Sequence, residues 1–397
     1  MRLESISATG KLVLVSAFCF ALMVTSPQAC AQTFSVVHNF TGGSDGAYPM
    51  NGFTANGKNL FGTTSSGGTS GVGVVFKIST SGVETMLHTF TGSPDGASPN
   101  GGVLRDKYGH LYGTTTAGGT YNAGIVFEVI GKKETVLYSF AGGKDGAVPE
   151  AGVIEDAAGN LYGTTSAGGK SGNGTVFRLA PPKTLGSPWS ETVLYSFGTG
   201  TDGAVPVGGV ILDAAGNLYG TTSVGGTSGY GTVFQLVPGT PWKENILHSF
   251  QNGNDGATPY AGLIADKSGN FYGAATDGGS NGGGTAFELT SSKGVWTFNI
   301  LYSVPGWGIS GTFRDLVMDK SGNLYATTHC DGGDNAGTVY ELTPSNGTWT
   351  YTLLYTFTGG GDGLFSFSNL VVNEGKLYGT TAYGGSQGAG VVFEVTP

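Results

Sequence analysis

The sequence predicts an all-β fold, a seven-bladed β-propeller of four-stranded antiparallel blades. Three observations carry this. One pattern is written seven times along the chain, marked by Phe40, Phe90, Phe140, Phe197, Phe250, Val304 and Phe357 at intervals of 50 to 57 residues. A repeat of that length fixes the architecture before any local detail does. Each copy holds four short runs of strand formers, and nothing in it has a helical period. Seven four-stranded units close into a ring with no sequence left over. A β-solenoid with two rungs per copy is the alternative, but solenoids need terminal caps and neither end resembles one.

The third copy, Leu137 to Pro181, shows the elements in order. Its strands are expected at Thr135–Phe140, Gly152–Glu155, Leu161–Thr165 and Gly174–Leu179, each of ordinary strand length. The run VLYSF barely alternates, which suits a strand covered on both faces. Asp156-Ala157-Ala158-Gly159-Asn160 reads as a tight turn, its Asp bonding the backbone ahead. The same acid recurs as Asp106, Asp213, Asp266 and Asp319. A Gly-rich loop with Gly168, Gly169 and Gly174 joins the last two strands and reads as a flexible joint. With the GVI segment innermost and LYSF outermost, the chain begins with an outer strand, Phe34–Phe40, that has no blade of its own. It is expected to complete the last blade, whose other strands run from Asn369 to Val395, and so to hide an open edge. Repeat boundaries fall near 34–80, 81–131, 132–181, 182–238, 239–294, 295–347 and 348–397.

Residues 1–31 stand outside the repeat. Arg2 and Lys11 precede an apolar run from Leu12 to Val24, and Ala29-Cys30-Ala31 fits a small-x-small cleavage site. This reads as a secretory signal, too short for a membrane span, with Gln32 as the new terminus. Lipid attachment at Cys30 is the competing reading, and Pro27 suits it badly. Cleavage would leave Cys330 as the sole cysteine, so the exported chain is expected to rely on its core, not on a disulfide.

The LYSF, DGAxP, GNLYGTT and GTVFEL elements closely resemble the GloVer tandem repeat of bacterial choice-of-anchor exported proteins. The resemblance runs from Phe34 to Pro397. It implies export, with a C-terminal anchor that varies among members, and brings no catalytic residues with it. Here the chain ends directly after its last strand, which favours release over surface anchoring. The expected location is extracellular or periplasmic.

Composition narrows the function. Charged residues are only 11% and the net charge is −9, so the basic groove that nucleic acid requires is missing. Gly is 74 of 397 residues, yet the glycines sit at fixed places between strand-like runs, which argues against disorder. The Asp-Gly pairs at Asp45, Asp95, Asp145, Asp202, Asp255 and Asp362 read as turn caps. A ring of Ca²⁺ sites is the alternative, although each loop offers one carboxylate where Ca²⁺ wants six to eight oxygens. His38, His88 and His248 fill the slot held by Tyr138, Tyr195, Tyr302 and Tyr355, so they read as aromatic substitutes. The Gly-rich loops are not phosphate loops, because no Lys-Thr or helix start follows.

The sixth copy departs from the pattern. Ile309 replaces the Asp, and Trp307, Arg314, His329 and Asp331 appear nearby, with Asp277 in the matching loop of the fifth copy. These five residues are the candidate ligand-binding patch, suited to stacking a sugar or clasping a peptide, and ordinary drift of a redundant repeat is the bland account. A metal site from His329, Cys330 and Asp331 is disfavoured because adjacent strand residues point to opposite faces. No catalytic set stands out. The expected function is therefore a monomeric, exported, non-catalytic propeller that binds a carbohydrate or protein partner through one face. The alternatives are a secreted glycan-active hydrolase or lyase with its site at a propeller mouth, and a structural envelope protein.

Overall fold

Seven four-stranded antiparallel sheets are arranged as blades around an axis. The computed structural model describes residues 32–184, 186–305 and 315–397. The leader, Trp307 and Arg314 lie outside the described residues. Among those described there is no helix, and hence none long and apolar enough to cross a membrane.

Blade three shows the plan. Its inner strand, Ile154–Glu155, pairs with Leu161–Thr165, which pairs with Thr175–Ala180, which pairs with the outer strand Ser190–Ser196. The outer strand therefore comes from the beginning of the next sequence copy, as the phase predicted. The inner strand is shorter than the sequence suggests, since pairing begins at Ile154 and not at Gly152. Ring closure follows the same rule. Thr33–Asn39 pairs with Val391–Thr396, from Thr33↔Thr396 to Asn39↔Val391, and completes blade seven.

Each marker Phe explains the cohesion between blades. It ends one blade's outer strand and packs edge-on against a Phe in the third strand of the next blade. Phe40–Phe76, Phe90–Phe127, Phe140–Phe177, Phe197–Phe234, Phe250–Phe287 and Phe357–Phe393 have ring centroids 5.1–5.5 Å apart. Such pairs add about 0.5–1.5 kcal/mol beyond the area they bury. A glycine beneath makes room for the second ring: a Cβ on Gly163 would lie 2.7 Å from Phe177. At the sixth junction Val304 replaces Phe, while Tyr340 and Ala326 replace Phe and Gly. The smaller Val offsets the larger neighbours, a volume-conserving exchange in a fully buried core.

Buried threonines add polar links. Thr63, Thr114, Thr164, Thr221 and Thr327 donate their hydroxyls to backbone carbonyls at the start of the next inner strand, at Gly101, Ala151, Gly208, Ala261 and Ser368. Thr380 does the same across the closure, to Pro49 and Asn51. Blade five has Ala274 at this position and lacks the hydroxyl.

The turns behave as capped turns. Asp156 Oδ1 accepts from the backbone N–H groups of Ala158 and Asn160, and Oδ2 accepts from the Asn160 amide and the Tyr162 hydroxyl. The Gly-rich loops, expected as joints between strands three and four, are tied to the rest of the blade by backbone hydrogen bonds. They pair with the Asp-Gly turn of the same copy, as at Ala147↔Ala167, and their glycines take positive φ against neighbouring backbone. A Cβ on Gly168 would lie 2.7 Å from Gly146.

Candidate functional site

Two regions gather polar side chains. The first lies on the ring axis. The residue before the hydrophobe that leads into each inner strand is Gly52, Gly102, Gly152, Gly209, Gly262, Asp315 or Asn369. Five glycines leave an axial cavity of about 330 Å³, and the two exceptions put a carboxylate and a carboxamide on its wall. Asp315 Oδ1 accepts the Gly262 N–H at 2.5 Å, and its Oδ2 accepts from Asn369 Nδ2 at 2.5 Å. Hydrogen bonds to both oxygens hold the carboxylate in one orientation. Asn51 is fixed in turn, accepting from its neighbour Gly52 N–H at 2.7 Å and donating to the Asn100 carbonyl at 3.1 Å. A smaller cavity of about 130 Å³ shares Asn51, Asp315 and Asn369 and adds Asn100 and Glu150. The described lining residues of both cavities include no Lys, Arg or His.

The second region repeats at the blade junctions. Three columns of the sequence converge there: the aromatic or His two residues before the marker, the Asp of the Asp-Gly turn, and the residue six before the next marker. The Asp closes its own turn. Asp45, Asp95, Asp145, Asp202, Asp255 and Asp362 each accept the backbone N–H four residues earlier. The aromatic then reaches the same carboxylate: Tyr138 and Tyr355 donate their hydroxyls to Asp145 and Asp362 at 3.0 and 2.9 Å. His88 and His248 place Nε2 at 3.2 and 3.1 Å from Asp95 and Asp255. The histidines keep the aromatic's seat, edge-on to the marker Phe at 4.8–4.9 Å. This agrees with reading them as aromatic substitutes.

The third column divides the junctions into two kinds. Glu84, Glu134, Glu191 and Glu244 approach the Asp at four of them, and burial, reinforced by the nearby Asp carboxylate, raises their pKa to about 7, 7, 7 and 8. At the other three an aromatic stacks on the seat: Phe298 on His248 at 3.8 Å, Tyr351 on Tyr302 at 4.6 Å, and Phe34 on Tyr355 at 3.7 Å.

Of the sequence-predicted patch, Trp307 and Arg314 lie outside the described residues, and the other three are placed as follows. His329 packs its ring on Phe365 and Phe367, at 4.3 and 3.9 Å. Asp331 accepts the Gly332 N–H and raises the Tyr302 pKa, behind the larger effect of burial. Asp277 pairs its backbone with Ala257, as the equivalent residue does in other copies. Sequence reasoning passed over Asp315, although it breaks a column of five glycines and adjoins Arg314, which was singled out. It also missed the Glu column, visible as an acid six residues before four of the markers.

Residues 23–214 and 208–397 match the family model described as the Gloeobacter/Verrucomicrobia repeat. The chain belongs to this repeat family. No curated protein matches it by sequence. Among solved structures it is similar to a putative 6-phosphogluconolactonase from Bacteroides uniformis, at 14% identity and a TM-score of 0.52, over 81% of this chain and 88% of that one. A second putative 6-phosphogluconolactonase, from Bacteroides fragilis, has 16% identity and a TM-score of 0.50, over 81% and 86%. A puromycin-hydrolysing peptidase of Mycobacterium tuberculosis has 10% identity and a TM-score of 0.51, over 83% of this chain and 48% of that one. At these identities the likeness establishes the propeller fold alone. The expectation of a non-catalytic binding propeller is nonetheless corrected, because the solved propellers it resembles are described as enzymes. Uniform blades were a poor argument against catalysis, since a reaction on the axis needs only one or two departures from the repeat, such as Asp315 and Asn369.

Proposed function

We propose that this member of the repeat family hydrolyses small polyhydroxylated ring esters, of the sugar-lactone class, at its axial mouth. The observation that carries the reading is Asp315, a carboxylate held by Gly262 and Asn369 at a position of the cavity wall where five other blades have glycine. A cavity of about 330 Å³ falls within the range of small-molecule sites. Carboxamides and a carboxylate match a ligand rich in hydroxyls. The lactone activity named for the two Bacteroides propellers supports the same class.

In this mechanism the Asp315 carboxylate takes a proton from water as the water oxygen bonds to the lactone carbonyl carbon. The ring C–O bond breaks, and the ring oxygen receives that proton, leaving an open hydroxy acid. General-base catalysis of this kind is worth about 10²–10⁴-fold. Export after cleavage before Gln32 is part of the proposal, supported by the Leu12–Val24 run and by the compact unit that begins at Gln32. The test is acid release from a panel of neutral and phosphorylated aldonolactones, followed by pH-stat. Turnover that Asp315→Asn cuts by about 10² or more is the expected result. No turnover above the spontaneous rate, or an unchanged rate in a folded Asp315→Asn protein, overturns the proposal.

A further inference from the structure

Two adjacent junctions combine all three donors. At the ring closure, His38 of the N-terminal strand faces Asp45 of the following turn and Glu84 of blade one. At the next junction His88 faces Asp95 and Glu134. We propose that each of these triads binds one divalent transition-metal ion of the zinc class, clipping neighbouring blades together on either side of blade one.

The geometry is that of a metal site. In each triad one imidazole nitrogen and two carboxylate oxygens lie within 4.8 Å of one another. His38 Nε2 is 3.9 Å from Asp45 and 3.8 Å from Glu84, and His88 Nε2 is 3.2 Å from Asp95. Ligands about 2.0–2.1 Å from a tetrahedral zinc stand roughly 3.3–3.4 Å apart, so small side-chain shifts close the shell, with water as fourth ligand. The donor set also selects the metal. A nitrogen and two carboxylates suit zinc, whereas Ca²⁺ needs six to eight oxygens.

A second observation points the same way. His38 Nε2, Glu84 Oε1 and Glu134 Oε1 are buried without a hydrogen-bond partner; Glu191 Oε1 and Glu244 Oε1 share this at the Tyr junctions, so it is the unpartnered imidazole nitrogen that sets the ring-closure triad apart. Buried polar atoms are normally satisfied, and an orphan in each triad is what a coordinating ion would relieve. The Asp ligands are already oriented by the Thr41 and Thr91 backbone N–H groups, the support expected behind a metal ligand. The other junctions are internal controls. Tyr replaces His at the Glu191 and Glu244 junctions, where Tyr195 bridges Asp202 and Glu244 with hydrogen bonds of 3.1 Å. Phe298 replaces Glu at the His248 junction and covers the imidazole.

The site is independent of the axial one. The test is calorimetric titration of the chelator-stripped full chain with Zn²⁺, repeated with Co²⁺ to read tetrahedral absorbance. Two sites per chain are expected, one in His38→Tyr, none in Glu84→Gln/Glu134→Gln, and two still in His248→Tyr. His38→Tyr installs the ring that other copies carry, so it preserves the fold. No saturable binding, or two sites retained in the folded His38→Tyr protein, overturns the proposal.

Discussion

The Glu244 junction gives a stability prediction whose direction runs against the usual carboxylate rule. Burial and the adjacent Asp202 raise the Glu244 pKa from 4.5 to about 8, with Tyr195 opposing the shift. Below 4.5 the carboxyl is protonated in both folded and unfolded chains, and the contribution is whole. Between 4.5 and about 8 only the folded chain keeps the proton, so folding takes up a proton and stability falls as pH rises. A shift of that size is worth roughly 4–5 kcal/mol in a dry site, and solvent at this partly open junction screens it to about 2 kcal/mol. Glu244→Gln removes the titration while leaving a neutral group that can still donate to Asp202. Urea unfolding at about pH 5 is therefore expected to separate variant and wild type by less than ~0.5 kcal/mol, and at about pH 8.5 the variant gains about 2 kcal/mol. The same curves for Glu191→Gln, beside Asp145, are expected to follow, with the window ending near 7. A variant–wild-type difference that does not change with pH refutes the reasoning.

Other expectations follow from the repeat's joints. Thr164→Val loses the hydroxyl bond to the Gly208 carbonyl and is expected to cost about 1–2 kcal/mol in urea unfolding. Gly146→Ala places a Cβ 2.4 Å from Thr165 Oγ1 at a φ of +103°, so a loss of about 2–4 kcal/mol is expected by the same measurement. Deleting residues 33–39 strips blade seven of its outer strand and of the Phe34–Tyr355 stack, which leaves Val391–Thr396 as an open edge. Thermal melts and size exclusion are expected to show a lower Tm and association of the deleted chain, where trimming an ordinary terminus would leave both unchanged.

The fold was legible because its determinants lie in columns. A Phe that recurs every 50 to 57 residues, a Gly that receives its ring and a Thr that clasps the next blade are each repeated too often to be read as local accidents. Strand phase followed from that, and with it the closure by the N-terminal strand. The sites were harder to see for the opposite reason. Their partners lie in different copies, as with Tyr195 and Glu244, 49 residues apart. Only the ring's curvature brings the two columns together, and no spacing within one copy encodes it. Asp315 illustrates the second obstacle. In a linear reading the residue before the inner-strand hydrophobe is one glycine among 74, and its replacement resembles drift. In the ring the same position faces the axis, where seven blades converge and one carboxylate alters the whole surface a ligand meets. In a propeller of repeats, then, a departure gains weight with its closeness to the axis or to a junction. That places Asp315 and the Glu column ahead of Asp277, whose backbone keeps the pairing of its column.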